Sequence, residues 1–186
     1  AQAIDNIGLQ LDGVTVQVGV PHHSSYDVNR LTVEATLLPE DFASLDRAVI
    51  NKGGNAGAFR VEVSNTDVGH VYFDAKAHLA SNQALVDGEW GTLAALYDGV
   101  KQAVYIGYAF DKSVLANNPE TGDGPLYIGS HGGHGFFTGT IDSVRFSNRA
   151  LVADEFLHYP LNSWTLGSGG PALTDSDNTT LLDDGD

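Results

Sequence analysis

Hydrophobic and polar residues alternate with a period of two along most of this chain. Val14, Val16, Val18 and Val20 alternate with Thr15, Gln17 and Gly19, and Leu31, Val33, Ala35 and Leu37 with Thr32, Glu34 and Thr36. Phe59, Val61 and Val63 alternate with Arg60 and Glu62, and Val71, Phe73 and Ala75 with Tyr72 and Asp74. Successive side chains of a strand point to opposite faces, so each pattern predicts a strand with one face in a core and one in water. Leu93 to Tyr97 is apolar on both parities, which predicts a central strand covered on both sides.

Turn signals separate these runs. Asp12-Gly13, Asp87-Gly88, Asp98-Gly99 and Asp123-Gly124 are Asp-Gly pairs, the strongest short hairpin cue. Lys52-Gly53-Gly54-Asn55 predicts another tight connection. Only Val152 to His158 carries a helical signal, a turn or two ended before Pro160. About ten or eleven short strands with regular turns predict an all-β sandwich or barrel rather than βαβ units. Residues 1–160 form the expected domain. Residues 161–186 form a Gly/Ser/Asp-rich extension, with a flexible Gly167 to Pro171 and an acidic arm beyond Asp175. Leu161, Trp164 and Leu166 are expected to dock on the sandwich. Asn178-Thr179-Thr180 is a formal glycosylation sequon of little weight.

Composition narrows the function classes. The 186 residues are enough for one real core without staples, and Cys is absent, which excludes disulfides, thiolate metal sites and cysteine catalysis. No apolar run approaches the ~20 residues of a membrane helix, so no membrane insertion is expected. The net charge of −15, from 24 acids against 9 bases, repels nucleic acid and anionic lipid. A high-salt habitat and an ordinary acidic secreted domain explain that charge equally well. Ala1-Gln2-Ala3 fits a mature end left by signal removal or by trimming of an initiator Met.

Five local patterns occur in order over residues from about 6 to 158. They are Leu11-Asp12-Gly13; Val20-Pro-His-His-Ser-Ser25 with Leu31-Thr-Val-Glu-Ala35 and Leu38-Pro39-Glu40; Lys52-Gly53-Gly54; Trp90 opening a run that ends Tyr97-Asp98-Gly99; and Pro125-Leu-Tyr-Ile-Gly-Ser130 with Gly139-Thr-Ile-Asp-Ser-Val-Arg-Phe146. Together they resemble laminin-G-like domains of the concanavalin A-like lectin/glucanase superfamily, of the pentraxin-related bacterial and viral kind. Thr92 stands where that family often has His, and Gly107-Tyr108 replaces its Asp-Gly turn. The resemblance implies an antiparallel two-sheet jelly-roll β-sandwich and places Trp90 in its core. It also implies a structural Ca2+ held by Asp12 and Asp142, if the first and last strands are neighbours. The alternative leaves Asp12 in its turn and Asp142 at a bulge or paired with Arg145.

Two further constellations carry chemistry. His22-His23 and His131-Gly-Gly-His134 are loop histidines that could meet at one end of a sandwich, yet their spacing matches no zinc pattern. Sugars stack on aromatic faces and bond to loop Asp, Asn and His, which makes His22, His23, Tyr26, Tyr108, His131, His134 and Phe136 candidate ligand contacts. At least one of Phe136 and Phe137 is expected in the core. Catalysis finds no support. The Glu-x-Asp-x-x-Glu strand of the superfamily's glucanases and the Gly-x-Ser-x-Gly elbow are both missing, and Glu34 and Glu62 stand alone on their strands. The expected function is a non-catalytic, lectin-like module that binds glycans or glycoproteins at an extracellular, cell or virion surface. The alternative is a structural decoration, spike or receptor-binding subunit, forming a homo-oligomer or larger assembly through its C-terminal extension.

Overall fold

The computed structural model describes residues 8–42, 47–53, 58–67, 69–75, 77–116 and 122–157. Their strands are β1 Leu9–Asp12, β2 Val18–Val20, β3 Leu31–Pro39, β4 Arg47–Lys52, β5 Phe59–Val63, β6 His70–Asp74, β7 His78–Ala84, β8 Gly91–Tyr97, β9 Lys101–Ile106, β10 Ala109–Leu115, β11 Leu126–Ile128 and β12 Thr138–Ser147. They form two antiparallel six-stranded sheets, ordered β1-β12-β3-β8-β9-β10 and β2-β11-β4-β5-β6-β7. The all-β two-sheet sandwich read from the alternation is the fold observed. The expected extension from residue 161, the Gly54-Asn55 turn and the sequon lie outside the described residues.

One parity of each strand fills the space between the sheets. Val33, Ala35, Leu37, Leu93, Ala95 and Val104 of the first sheet meet Ile50, Phe59, Val61, Val63, Val71 and Phe73 of the second. Each Val, Leu, Ile or Phe among them contributes about 1.5–3 kcal/mol on burial. Gln102 crosses this layer and donates from Nε2 to the Phe73 and Ala77 carbonyls, at 2.8 and 2.6 Å. Along one side the sheets are stitched by Asp111, which sits at a bulge in β10. Its carboxylate accepts the Asn82 and Gln83 amides of β7, at 2.6 and 2.9 Å.

The pattern misleads in several places. The predicted strand from Val14 to Val20 survives only as Val18–Val20. Asp12 ends β1, and its carboxylate takes the amides of Val14, Thr15 and Val16 that a ladder would have used. Val14 is left 67% exposed. The chain here crosses between the sheets, so Asp12-Gly13 makes no hairpin, and neither Asp87-Gly88 nor Asp123-Gly124 does. Asp98-Gly99 alone of the four pairs closes one, between β8 and β9. Trp90, expected in the core, is 47% exposed because it precedes β8 in the connection from β7. The helical signal yields a 3-10 turn at Ala153–Glu155.

The outer face of β3 departs from the pattern as well. Its polar residues Thr32 and Glu34 look destined for water, yet both are buried. The segment after β12 folds over them. Leu151 and Phe156 pack on Ala94, Leu96 and Ala103, making a second small core. Thr32 Oγ1 donates to the Arg149 carbonyl at 2.8 Å and accepts the Leu151 amide at 2.9 Å. Glu34 receives Arg145 Nε at 2.5 Å and Nη2 at 2.9 Å, and the Leu157 amide at 2.5 Å. Replacing Glu34 strands these donors. Glu34→Ala is expected to lower the unfolding free energy by about 2–4 kcal/mol, toward the low side of a fully buried pair because Arg145 still reaches water. Urea titration followed by intrinsic fluorescence measures it.

Candidate functional site

Covering the first sheet leaves the outer face of the second as a broad surface built from opposite-parity positions. The register aligns Gly19, Tyr127, Asn51, Arg60, Asp74 and His78 across all six strands in one row. Glu62, Tyr72 and Ala80 form the neighbouring row. Strands lie ~4.8 Å apart, so the six-strand row extends over about 24 Å.

The polar groups of these rows hold one another in place. Arg60 Nε and Nη2 donate to Asp74 Oδ2 at 2.9 and 2.8 Å, and Nε lies 3.1 Å from Glu62 Oε1. His78 Nδ1 lies 2.8 Å from Asp74 Oδ1, so it donates to the carboxylate and leaves Nε2 as the acceptor nitrogen of the neutral ring. Tyr72 and His78 meet edge to face with centroids 4.6 Å apart. The Tyr72 hydroxyl donates to Asp67 Oδ2 at 2.8 Å. His78 remains largely exposed, with 59% of its side chain in solvent, and Arg60 keeps 39%.

The loop after β11 lies against this face. Two successive left-handed glycines, Gly132 at φ 84° and Gly133 at φ 106°, turn it back, and the His131 amide donates to the His134 carbonyl at 2.8 Å. A Cβ at Gly132 would come within 2.7 Å of the Tyr127 ring, so the close approach requires glycine. Ser130 Oγ bonds Gln17 and accepts the Gly132 amide. The result seats His131, only 6% exposed, between two strands. Its Nδ1 accepts from Asn51 Nδ2 at 2.8 Å and its Nε2 lies 3.1 Å from Glu62 Oε1. His134 stacks on it at 5.2 Å and is exposed.

The other candidates fall elsewhere. His22 and His23 do not join His131 and His134, because β4 presents Asn51 outward and Lys52 to the core side. The fully buried Lys52 donates from Nζ to the Gly122 and Gly124 carbonyls at 2.5 and 2.6 Å and to His22 Nδ1 at 3.2 Å. Burial pushes this ammonium below its ordinary range, partly offset by Asp27 and Asp123. His23 Nδ1 accepts the Ser25 amide and caps the 3-10 turn Ser24–Tyr26. Tyr26 packs edge-on against Phe146. It lines a cleft of about 450 Å3 whose other walls, Ile50, Leu126, Ile128 and Val144 among them, are mostly aliphatic. Tyr108 belongs to the first sheet, in a two-residue turn with Gly107 where both φ are positive. Burial pushes its phenol up, against a lowering Thr92 hydrogen bond. Phe136 is half-buried and its carbonyl accepts Arg47 Nη1 at 2.5 Å, while Phe137 is the core residue of the pair.

The acidic pair does not fit a shared metal. β1 and β12 are indeed neighbours, but Asp12 aligns with Thr138, while Asp142 is the bulge residue beyond the Leu9–Ile141 pair. Four residues along a strand place them about 13 Å apart. Asp12 is already surrounded by three amides and the Thr15 hydroxyl, donors that hold its carboxyl well below the usual range and point positive ends where a cation would sit. Arg145 binds Glu34 rather than Asp142. Among the described residues no group of three His, Asp or Glu gathers to hold a metal ion.

Arg60, Glu62, Tyr72, Asp74, His78 and Tyr127 were not singled out as site residues from the sequence. The available signal was the outward parity of adjacent strands, where Arg60/Glu62 and Tyr72/Asp74 collect ionic and aromatic side chains.

Two measurements check the acidic positions. Melting in EDTA and in added Ca2+ is expected to give midpoints within about 1 °C, since a resident ion would raise the midpoint by mass action. Asp12 has a lowered folded pKa, so it stabilises the fold above the unfolded value of 3.8 and loses that contribution as pH falls below it. Asp12→Asn keeps an acceptor oxygen but no titration. Its melting temperature is expected to fall less steeply than wild type between pH 4 and pH 2, roughly the window in which an unfolded carboxylate titrates.

A family model described as the concanavalin A-like lectin/glucanases superfamily, Laminin_G_3, matches residues 12–156. Among curated proteins no relative matches the chain. Solved structures share the fold at low identity. A Bacteroides ovatus protein described as a candidate carbohydrate-binding protein aligns with TM-score 0.62 and 15% identity, over 80% of this chain and 46% of its own. The chain therefore spans less than half of that protein's length. The heptameric SAP-like pentraxin of Limulus polyphemus aligns with TM-score 0.59 and 13% identity, over 81% of each chain. The CBM40 of a Ruminococcus gnavus sialidase, bound to α2,3-sialyllactose, aligns with TM-score 0.59 and 13% identity, over 81% of this chain and 96% of its own. The family match covers most of the chain and agrees with the two-sheet topology, and the protein belongs to the Laminin_G_3 family of the concanavalin A-like lectin/glucanases superfamily.

Proposed function

We propose that this chain is a non-catalytic recognition module that binds glycans, free or carried on glycoproteins, on the outer face of its second sheet. One observation carries the reading. The pair of half-buried Tyr72 and exposed His78 stands beside the Asp74–Arg60 pair on adjacent strands of a rigid sheet. A sugar ring offers a C–H face to an aromatic surface and a rim of hydroxyls to a carboxylate, and this face holds both at fixed spacing. The carbohydrate-binding neighbours support the same reading at the level of the fold. Glu62 is too deeply buried, between Arg60 and His131, to reach a glycosidic oxygen, which speaks for binding without hydrolysis. Such a module works where glycans are displayed, at an extracellular, cell or virion surface.

The test is a glycan array followed by titration of the hits. Wild type is expected to bind at least one glycan class with EDTA present. Tyr72→Ala and His78→Ala are each expected to weaken binding about ten-fold, since aromatic contacts dominate such sites, while circular dichroism stays unchanged. An array blank across every class overturns the proposal.

A further inference from the structure

We infer that the saccharide taken by this face is neutral, and that sialylated, uronic or sulfated glycans are disfavoured by the site itself. The inference rests on the glycan-binding reading and names its ligand class. Recognition of a carboxylate or sulfate calls for a guanidinium or ammonium whose charge is not already matched, placed to donate in a fork. Arg60 is the Lys or Arg of these two rows, and it is committed to two carboxylates, with Asp74 Oδ2 at 2.8 Å and Glu62 Oε1 at 3.1 Å. With the histidines neutral, one positive charge stands against two negative ones, and Asp67 adds a third beside Tyr72.

Among the described residues, two nearby basic side chains, Lys52 and Arg47, are held away from the face. Lys52 projects to the core side of β4, where two carbonyls and His22 hold it. Arg47 is turned to the Gly13 and Phe136 carbonyls and toward Asp41. The chain's field, at −15, adds a long-range repulsion of anions.

Hydrogen-bond polarity points the same way. Asp74 Oδ2 takes two Arg60 donors, and Oδ1 keeps one lone pair beyond the one that His78 uses. His78 donates from Nδ1 to Asp74, so its exposed Nε2 accepts. The Tyr72 hydroxyl spends its proton on Asp67, so its oxygen accepts from any further partner. Acceptors crowded on one surface demand donors from the ligand. Sugar hydroxyls supply donors, whereas a carboxylate or sulfate brings only more acceptors and a like charge.

The experiment is an array of neutral oligosaccharides, each paired with its sialylated or sulfated form, read with the full chain at low and at high salt. The neutral member of a pair is expected to bind about ten-fold more tightly at low salt, with the gap narrowing at high salt as like-charge repulsion is screened. Asp74→Asn removes a negative charge and loosens the hold on Arg60. It is expected to weaken the neutral ligand and to shift the anionic-to-neutral ratio several-fold toward the anionic form. His78→Ala, which leaves that ion pair in place, is expected to weaken neutral binding without changing the ratio. Tighter binding of the anionic members by wild type, or a ratio that Asp74→Asn does not move, overturns the inference while glycan binding itself stands. Binding to neither member of any pair overturns the glycan reading and the inference with it.

Discussion

Two sheets must bury their inner faces against each other, and a strand has a period of two. Those constraints together assign almost every position in this molecule. Once Val33, Leu37, Leu93, Val61, Val71 and Phe73 point inward, the residues between them must point outward. The outward residues in the middle of the first sheet were given a cover, the segment containing Leu151 and Phe156. The outward set of the second sheet was given side chains that bind one another and still face solvent. The surface available to a ligand on this sheet is thus the second parity, left over when the core has taken the first.

The two outer faces use ionic residues differently. On the first, Glu34 is an internal anchor. It is buried, doubly bonded to Arg145, and it ties down the chain end at Leu157. On the second, Glu62 plays the equivalent anchoring part beneath His131, while Asp74 and Arg60 one row away keep contact with water. The difference lies in what covers them. A packed apolar segment excludes solvent and ligand from Glu34. A glycine-rich loop lying beside Tyr127 covers Asn51 and Glu62 alone and leaves His78 and Tyr72 open.

Much of the fold was legible in the alternation, because inner-face burial is a local, repeated demand. The Leu93–Tyr97 segment, apolar on both parities, lies as expected at the centre of a sheet with both faces covered. What was not legible depended on partners distant in sequence. Thr32 and Glu34 read as wet, since the residues that cover them come more than a hundred positions later. Val14 and Val16 read as strand because nothing in their pattern shows that the Asp12 side chain intercepts their amides. Trp90 read as core because the family resemblance has it open a central strand. The site was half-legible. Arg60, Glu62, Tyr72 and Asp74 were seen as outward residues, but that Tyr127, Asn51, Arg60, Asp74 and His78 share one row follows from the order β11-β4-β5-β6-β7, in which β11 sits beside β4 rather than beside its sequence neighbours.

The acidic composition takes on a different meaning at this resolution. A surplus of carboxylates invites thoughts of calcium, yet several of the described aspartates are spent on the backbone. Asp12 receives three amides, Asp98 receives those of Val100 and Lys101, and Asp111 receives two from the facing sheet. A carboxylate surrounded by N–H groups has its lone pairs filled by donors, and a cation would have to displace them all at once. The same economy of acceptors governs the second sheet's outer face, where Asp74 and Asp67 fix the donors of His78 and Tyr72. Carboxylates that orient neighbours in this way leave a surface of acceptors behind them. A hydroxyl-rich, uncharged ligand is the chemical complement of such a surface.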